Sequence, residues 1–439
     1  MVQNSSNIVS LLMRTVPVGL GMAFLFLGQA FLARLMGPDS FGTYSYYLTW
    51  ITVAALLAKA GHEWIILKSV PGKIRSDQPG EIRFLISRSF KAVGVRAVLA
   101  ACILISAAYL ISGEEGPTIS IMVAGSLLIL CLAIAEMRRA LALAYGALWL
   151  AETPENMVKS VLLVAVAASL VLTGALSAGA MLWANLFVTA ISSAAAMMIF
   201  LHGRGSTVRI SPPVRVETKD LDDLMRSMWV TNFLNIVLRN GDILIIGALT
   251  DFATTGVYVA ATRVAALAAA PITILDRIVA PQIAEAAEFK DRAGLISSSW
   301  EYSLLSTAAC VCLIAFLAIW GSDFISLLFG DAYQGALIVV WIMLLGHAAN
   351  ALTGPTGVLL SMTGAHRILV LIAGICAVLY LVLLYLLAPG YLAIGAATAF
   401  AITHSAKAVM QLFFVWTHLA LNPTVFRLPR IRAAPANEG

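Results

Sequence analysis

The sequence predicts an all-α integral membrane protein with about twelve transmembrane helices, and three observations carry that prediction. Of 439 residues, 60% are hydrophobic and only 12% charged, about half the roughly 25% of a soluble domain. Apolar runs of about 18 or more residues, long enough to cross a hydrocarbon core of about 30 Å, recur along the whole chain. Basic residues alternate from loop to loop as a membrane orientation requires. Lipid offers the backbone no hydrogen-bond partner, so such runs must be helices or the strands of a closed barrel. They are too long and too uniformly apolar for barrel strands, which alternate over about 10 residues.

Spans are expected at 8–33, 43–67, 90–111, 118–137, 158–176, 180–201, 223–249, 257–280, 299–320, 335–360, 368–388 and 391–417. The first is too long for the core of a cleavable signal peptide and no small-residue cleavage site ends it, so it reads as a retained span. With the N-terminus in the cytoplasm, 21 of the 28 lysines and arginines fall in inside segments; six lie within spans and one, Arg34, in an outer loop. That bias predicts an even span number with both termini cytoplasmic. The net charge of +5 then reflects orientation, and no nucleic-acid partner is expected. All five cysteines lie in apolar spans. Cys310 and Cys312 point to different faces of a helix, so neither a disulfide framework nor a metal site is expected, and no cofactor is implied.

The longest polar segment, His202 to Asp223, has Ser211-Pro212-Pro213 at its centre and reads as a linker. The expected organisation is an N-terminal six-helix bundle (1–203), a cytoplasmic linker (204–222), a C-terminal six-helix bundle (223–418) and a cytoplasmic tail (419–439). The halves repeat a motif. Gly42-Thr43-Tyr44 opens the second span and Gly256-Val257-Tyr258 the eighth, each after a short outer turn bearing an acid. Glycine permits the tight turn and tyrosine suits the membrane interface. The correspondence suggests a parallel repeat about a pseudo-two-fold axis along the membrane normal, a common transporter design.

Several segments resemble the turns and helices of one family of membrane transporters. Leu32-Ala33-Arg34-Leu35-Met36-Gly37 with Phe41-Gly42-Thr43-Tyr44 resembles their first outer turn. Arg239-Asn240-Gly241-Asp242 through Thr262-Arg263 resembles their seventh and eighth helices. Leu327-Leu328-Phe329-Gly330-Asp331-Ala332-Tyr333 resembles the turn after the ninth, and Met362-Thr363-Gly364 the end of the tenth. These transporters are the O-antigen and exopolysaccharide flippases of the multidrug/oligosaccharidyl-lipid/polysaccharide superfamily. The resemblance implies two MATE-like six-helix bundles around a central cavity in the bacterial inner membrane. It also implies a lipid-linked oligosaccharide substrate on undecaprenyl pyrophosphate, with a polysaccharide polymerase and chain-length regulator as partners beside the membrane lipids.

A charge within a bilayer costs at least about 2.5–3.5 kcal/mol, so it faces a cavity or a partner. Glu63 follows Lys59 by four residues and Asp242 follows Arg239 by three, spacings of helical ion pairs or of a coupling site. Arg263 and Lys407 have no acid within four residues; a pyrophosphate would give each a partner. Arg14 and Arg239 fall where the resembling family has basic residues. His347 and Asn350 share a face of the tenth span, and His404 precedes Lys407 by one turn; they suit either a sugar or an interhelical hydrogen bond. Asp276, Arg277, Glu136 and Glu301 lie near inner helix ends, where snorkelling to the headgroups is open to them. Pro17, Pro271 and Gly354-Pro355 interrupt spans 1, 8 and 10 and are candidate bends.

No residue is assigned a catalytic role. The outer loops are short and lack an acid–base cluster, and no phosphate-binding loop appears, which argues against a polysaccharide-modifying enzyme. A cation-coupled multidrug exporter is the competing transporter reading. It generally needs a buried acid, and residues 8–38 contain none.

Overall fold

The computed structural model describes residues 2–112, 119–203, 211–216, 219–289 and 291–426. Among them the secondary structure is helical. The helices are α1 (Val2–Lys59), α2 (His62–Arg75), α3 (Pro79–Ser112), α4 (Ile119–Ala144), α5 (Leu148–Leu172), α6 (Ala178–His202), α7 (Lys219–Leu249), α8 (Phe252–Glu288), α9 (Arg292–Leu328), α10 (Ala336–Thr353), α11 (Thr356–Met362) and α12 (His366–Leu419). Ten are long and apolar enough to cross a membrane. Two of those ten contain a break: Gly37 in α1 (φ 74°) and Leu392 in α12 (φ 49°). Each break divides one long helix in two, so the described residues supply twelve apolar segments, the number the sequence leads one to expect.

The interruptions follow local chemistry. Gly37 adopts a backbone conformation that side chains disfavour, and Pro38 then opens the second span with its φ preset. Pro271 cannot donate to the carbonyl four residues earlier, and α8 tightens into a 3₁₀ turn at Ala266–Ala268. Gly354 (φ 79°) with Pro355 separates α10 from α11. Pro17, by contrast, is carried inside α1, where the only non-helical backbone is at Gly37. Span 2 ends at Lys59; Ala60 (φ 46°) and Gly61 (φ 83°) break the helix before α2. At the outer end of α8 the Asp251 carboxylate accepts the Thr254 amide at 3.0 Å, and its bonds to Thr254 hold it below the ordinary aspartate range.

The chain forms two compact units, Met1–Arg263 with Ile325–Ala336, and Val264–Phe324 with Leu337–Gly439. In the first unit the two Gly-x-Tyr motifs meet. A Cβ on Gly42 would overlap the Phe252 carbonyl oxygen and lie 2.8 Å from the Gly256 nitrogen. One on Gly256 would overlap the Pro38 carbonyl oxygen and lie 3.1 Å from the Gly42 nitrogen. The glycines therefore permit a close backbone approach, not merely a turn. The tyrosines, which sequence places at the interface, are fully buried. Tyr44 accepts a hydrogen bond from Asn185 Nδ2 at 2.6 Å, and the Tyr258 hydroxyl donates to Asp242 Oδ2 at 2.7 Å. The motif after α9 docks on the same end: the Tyr333 hydroxyl donates to the Ala33 carbonyl at 2.8 Å and the Arg34 guanidinium to the Leu327 carbonyl.

In the second unit, α9, α10 and the end of the described chain are tied together. Ser303 Oγ donates to the Pro423 carbonyl at 2.5 Å and Ser306 Oγ to the Ala351 carbonyl at 3.1 Å.

Candidate functional site: a charged, amide-lined cavity

The first unit encloses a cavity of about 550 Å³. Its walls combine five amides (Gln29, Asn185, Asn232, Asn235 and Asn240) with four cations and three acids. The cations are Lys59, Arg139, Lys159 and Arg239; the acids are Glu63, Glu136 and Glu155.

Most of these charges are committed to one another. Lys59 Nζ is shared between Glu63 Oε1 at 3.4 Å and Glu136 Oε2 at 3.2 Å. The Lys59–Glu63 pair therefore exists, but it crosses the helix break at residues 60–61 and recruits a second acid from α4. Arg139 holds Glu152 at 2.9 and 3.0 Å. Arg138 is fully buried and donates to Ser193 Oγ at 3.1 Å, Glu155 Oε1 at 3.2 Å and the Leu150 carbonyl at 2.8 Å. The last contact has a backbone cause. Pro154 has no N–H to give the carbonyl of Leu150, four residues earlier, and the guanidinium takes that place. The backbone widens there into a π-helical turn, Thr153–Val158, a feature frequent at functional sites.

Lys159 and Arg239 are different. Neither makes an ion pair or hydrogen bond among the described residues, and both line the cavity. Arg239 is exposed to it, with Asn232, Asn235 and Asn240 on the same wall. Asp242 does not neutralise Arg239 directly: its oxygens take the Tyr258 hydroxyl and the Ile243 amide. Arg263 sits behind this wall, close enough to Arg239, Tyr44 and Asp242 to interact electrostatically. Its Nε is buried without a hydrogen-bond partner, and the residue lines neither cavity described here.

The second unit has its own cavity of about 480 Å³, lined by Asp276, Arg277, Tyr302, Asn350, His404, Lys407 and Gln411 among others. It gathers three of the sequence candidates, Asn350, His404 and Lys407. His347 packs beside them, its ring 6.3 Å from that of His404. Asp276 accepts the Tyr302 hydroxyl at 2.7 Å. The Arg14 side chain lies outside the described residues. Sequence reasoning missed Arg139, Glu152 and Glu155 because it ended the fourth span at residue 137 and began the fifth at 158, and it missed Lys159 because it counted that residue with the inside segment. The helix begins at Leu148, which brings those carboxylates inside. Five amides within otherwise apolar spans were the available signal for the cavity.

A polar cavity of this kind within a bundle of membrane helices defines a transporter-type architecture. Solved structures agree on the fold. The inward-facing conformation of a multidrug resistance MATE family transporter of the MOP superfamily matches with a TM-score of 0.74 and 12% identity, over 91% of this chain and 94% of that one. The Vibrio cholerae MATE transporter VcmN matches at 0.66 and 14%, over 95% and 99%. The lipid II flippase MurJ in an inward closed conformation matches at 0.66 and 12%, over 92% and 87%. No curated protein matches in sequence. The family profile described as polysaccharide biosynthesis protein matches residues 31–338. The chain belongs to that polysaccharide biosynthesis family and has the fold of the MOP-superfamily transporters and flippases.

Proposed function

We propose that this multi-pass protein flips an undecaprenyl-pyrophosphate-linked oligosaccharide across the bacterial inner membrane by alternating access, for O-antigen, capsule or exopolysaccharide synthesis. The halves 1–203 and 223–418 would be its moving bodies, 204–222 their joint, and both termini would lie in the cytoplasm. A polysaccharide polymerase and a chain-length regulator would be its partners. One observation supports the reading: Lys159 and Arg239, which make no ion pair or hydrogen bond among the described residues, stand in a cavity lined also by five amides and by charged groups already paired. Arginine and lysine suit a diphosphate, and amides offer both donors and acceptors to sugar hydroxyls. A cationic drug would meet an excess of positive charge and acids already held by cations, which disfavours the multidrug-exporter reading. Nothing in the cavity requires a bond to be made or broken, so the reading is of a transporter, not an enzyme.

Deleting the gene is expected to leave one lipid-linked oligosaccharide on the cytoplasmic leaflet, measured by extracting and analysing the lipid pool. An unchanged pool, or robust export of cationic dyes, would overturn the reading. Arg239→Gln and Lys159→Gln are each expected to lower flipping at least about tenfold, the loss of one charge-assisted contact of about 1.5–3 kcal/mol, at unchanged membrane abundance. Lys407→Ala and Arg263→Ala test whether the second cavity and the wall behind Arg239 also contribute.

A further inference from the structure

Hydrogen bonds within the cavity wall decide which of its polar atoms are left for a ligand. Asn232 Nδ2 donates to Glu63 Oε1 at 3.1 Å, and the same oxygen lies 3.4 Å from Lys59 Nζ. Glu63 Oε1 is therefore an acceptor, so the Asn232 nitrogen must face it and the amide oxygen turns away. Asn232 lines the cavity, and that amide oxygen has no partner among the described residues. Glu63 Oε2 is buried with no hydrogen-bond partner, a state that polar atoms rarely keep. The terminal torsion of a glutamate is soft, so a small swing lets Oε2 meet an arriving donor. Asn240 is spent in the same way: its Nδ2 donates to the Ile236 carbonyl at 3.1 Å, which again leaves an acceptor. Asn185 is the contrast, with Nδ2 given to Tyr44 and Oδ1 taken by Thr189 Oγ1 at 3.1 Å.

Unmet acceptors select for donors. An ionised diphosphate substituted at both ends brings oxygens alone; it suits Lys159 and Arg239 and is repelled by the Glu63–Asn232 pair. A metal cation is a poor fit, because the Lys59 ammonium stands beside the same carboxylate. Sugar hydroxyls are donors without charge. Two of them on adjacent ring carbons match two acceptors that the Asn232–Glu63 bond holds side by side. Asn232 and Arg239 are two turns apart on one face of α7, about 10 Å along its axis, and Asn235 lies between them in the same wall. We propose that Glu63 and Asn232 form a sugar-reading notch: Glu63 Oε2 and Asn232 Oδ1 accept two neighbouring hydroxyls of the sugar joined to the diphosphate. The phosphates go to Lys159 and Arg239, and the notch sets which lipid-linked sugar is carried. A sugar lacking either hydroxyl is rejected, because it leaves a buried acceptor unmet. The proposal rests on the flippase reading of the same cavity.

The probes are citronellyl diphosphates bearing glucose, galactose, N-acetylglucosamine or N-acetylgalactosamine, titrated calorimetrically into the purified full-length protein. Methyl citronellyl diphosphate, of equal charge and without a sugar, is the reference. At least one sugar is expected to bind about tenfold or more tighter than the methyl ester. Deoxy analogues of that sugar then locate the contact, one hydroxyl at a time. Loss of either of two adjacent hydroxyls should weaken binding at least about tenfold, and loss of any other by less than about threefold. In Asn232→Leu one of the two penalties should vanish, and in Glu63→Gln the other should shrink, a coupling that general destabilisation does not produce. The wild-type series alone decides whether neighbouring hydroxyls are read, so a poorly folding variant does not blunt the test. Sugars that bind no tighter than the methyl ester, penalties spread evenly around the ring, or a pattern unchanged in both variants overturn this proposal alone. No binding of any probe, the methyl ester included, overturns the flippase reading and the notch together.

Discussion

Gly42→Ala and Gly256→Ala are each expected to destabilise the protein by about 3 kcal/mol or more, the upper end of what overpacking costs. Either added methyl meets a backbone carbonyl, of Phe252 or Pro38, and backbone cannot swing aside as a side-chain tip does. The outer turns would have to separate, and with them the buried pairs Tyr44–Asn185 and Tyr258–Asp242 that pack behind them. Thermal unfolding in detergent, followed by the monodisperse fraction after heating, should show a fall of several degrees for each variant. The double variant should fall by much less than the sum, because both methyls open the same interface. Gly94→Ala is the control. No atom outside its own helix lies within 4 Å of the added methyl, so the alanine should gain about 0.5–1 kcal/mol of helix preference. Equal losses in all three would mean that the close approach is not what the motif is for.

That contact shows where sequence reading succeeds and where it stops. Hydropathy and loop charge record how each segment meets lipid and water, so the helix number and the breaks at Gly37 and Gly354 were legible in composition. The Gly-x-Tyr repeat was legible as a repeat, but its purpose was not. A glycine needed for a turn and one needed for contact with a distant backbone look alike in one dimension. The site divides in the same way. Arg239, Lys59 and Glu63 stand out because they interrupt apolar runs, and the structure brings them to one cavity. Lys159 hid because Pro154 and the acids around it imitate a loop, although the segment is helical from Leu148 and passes Pro154 as a π-turn. Arg263 is conspicuous in sequence for having no acid nearby, yet burial behind Arg239 answers the isolation of its charge only in part.

Arg138 carries the second large effect, and charge counting assigns it to the cytoplasmic surface, where loss of an arginine would cost little. It is 2% exposed and donates to Ser193, Glu155 and the Leu150 carbonyl. Arg138→Ala strands the Glu155 carboxylate, leaves the Leu150 carbonyl without the donor that Pro154 cannot supply, and opens a void beside Ser193. Removing one partner of a buried ion pair costs about 3–5 kcal/mol, chiefly through the charge left behind. Pairing Arg138→Met with Glu155→Gln removes that charge and refills the volume, so the double variant should recover more than half of the loss. The unmet carbonyl should keep it below wild type. Thermal unfolding of the single and double variants measures both terms. A double variant no more stable than Arg138→Ala would show that the arginine acts by packing the π-turn, not by neutralising Glu155.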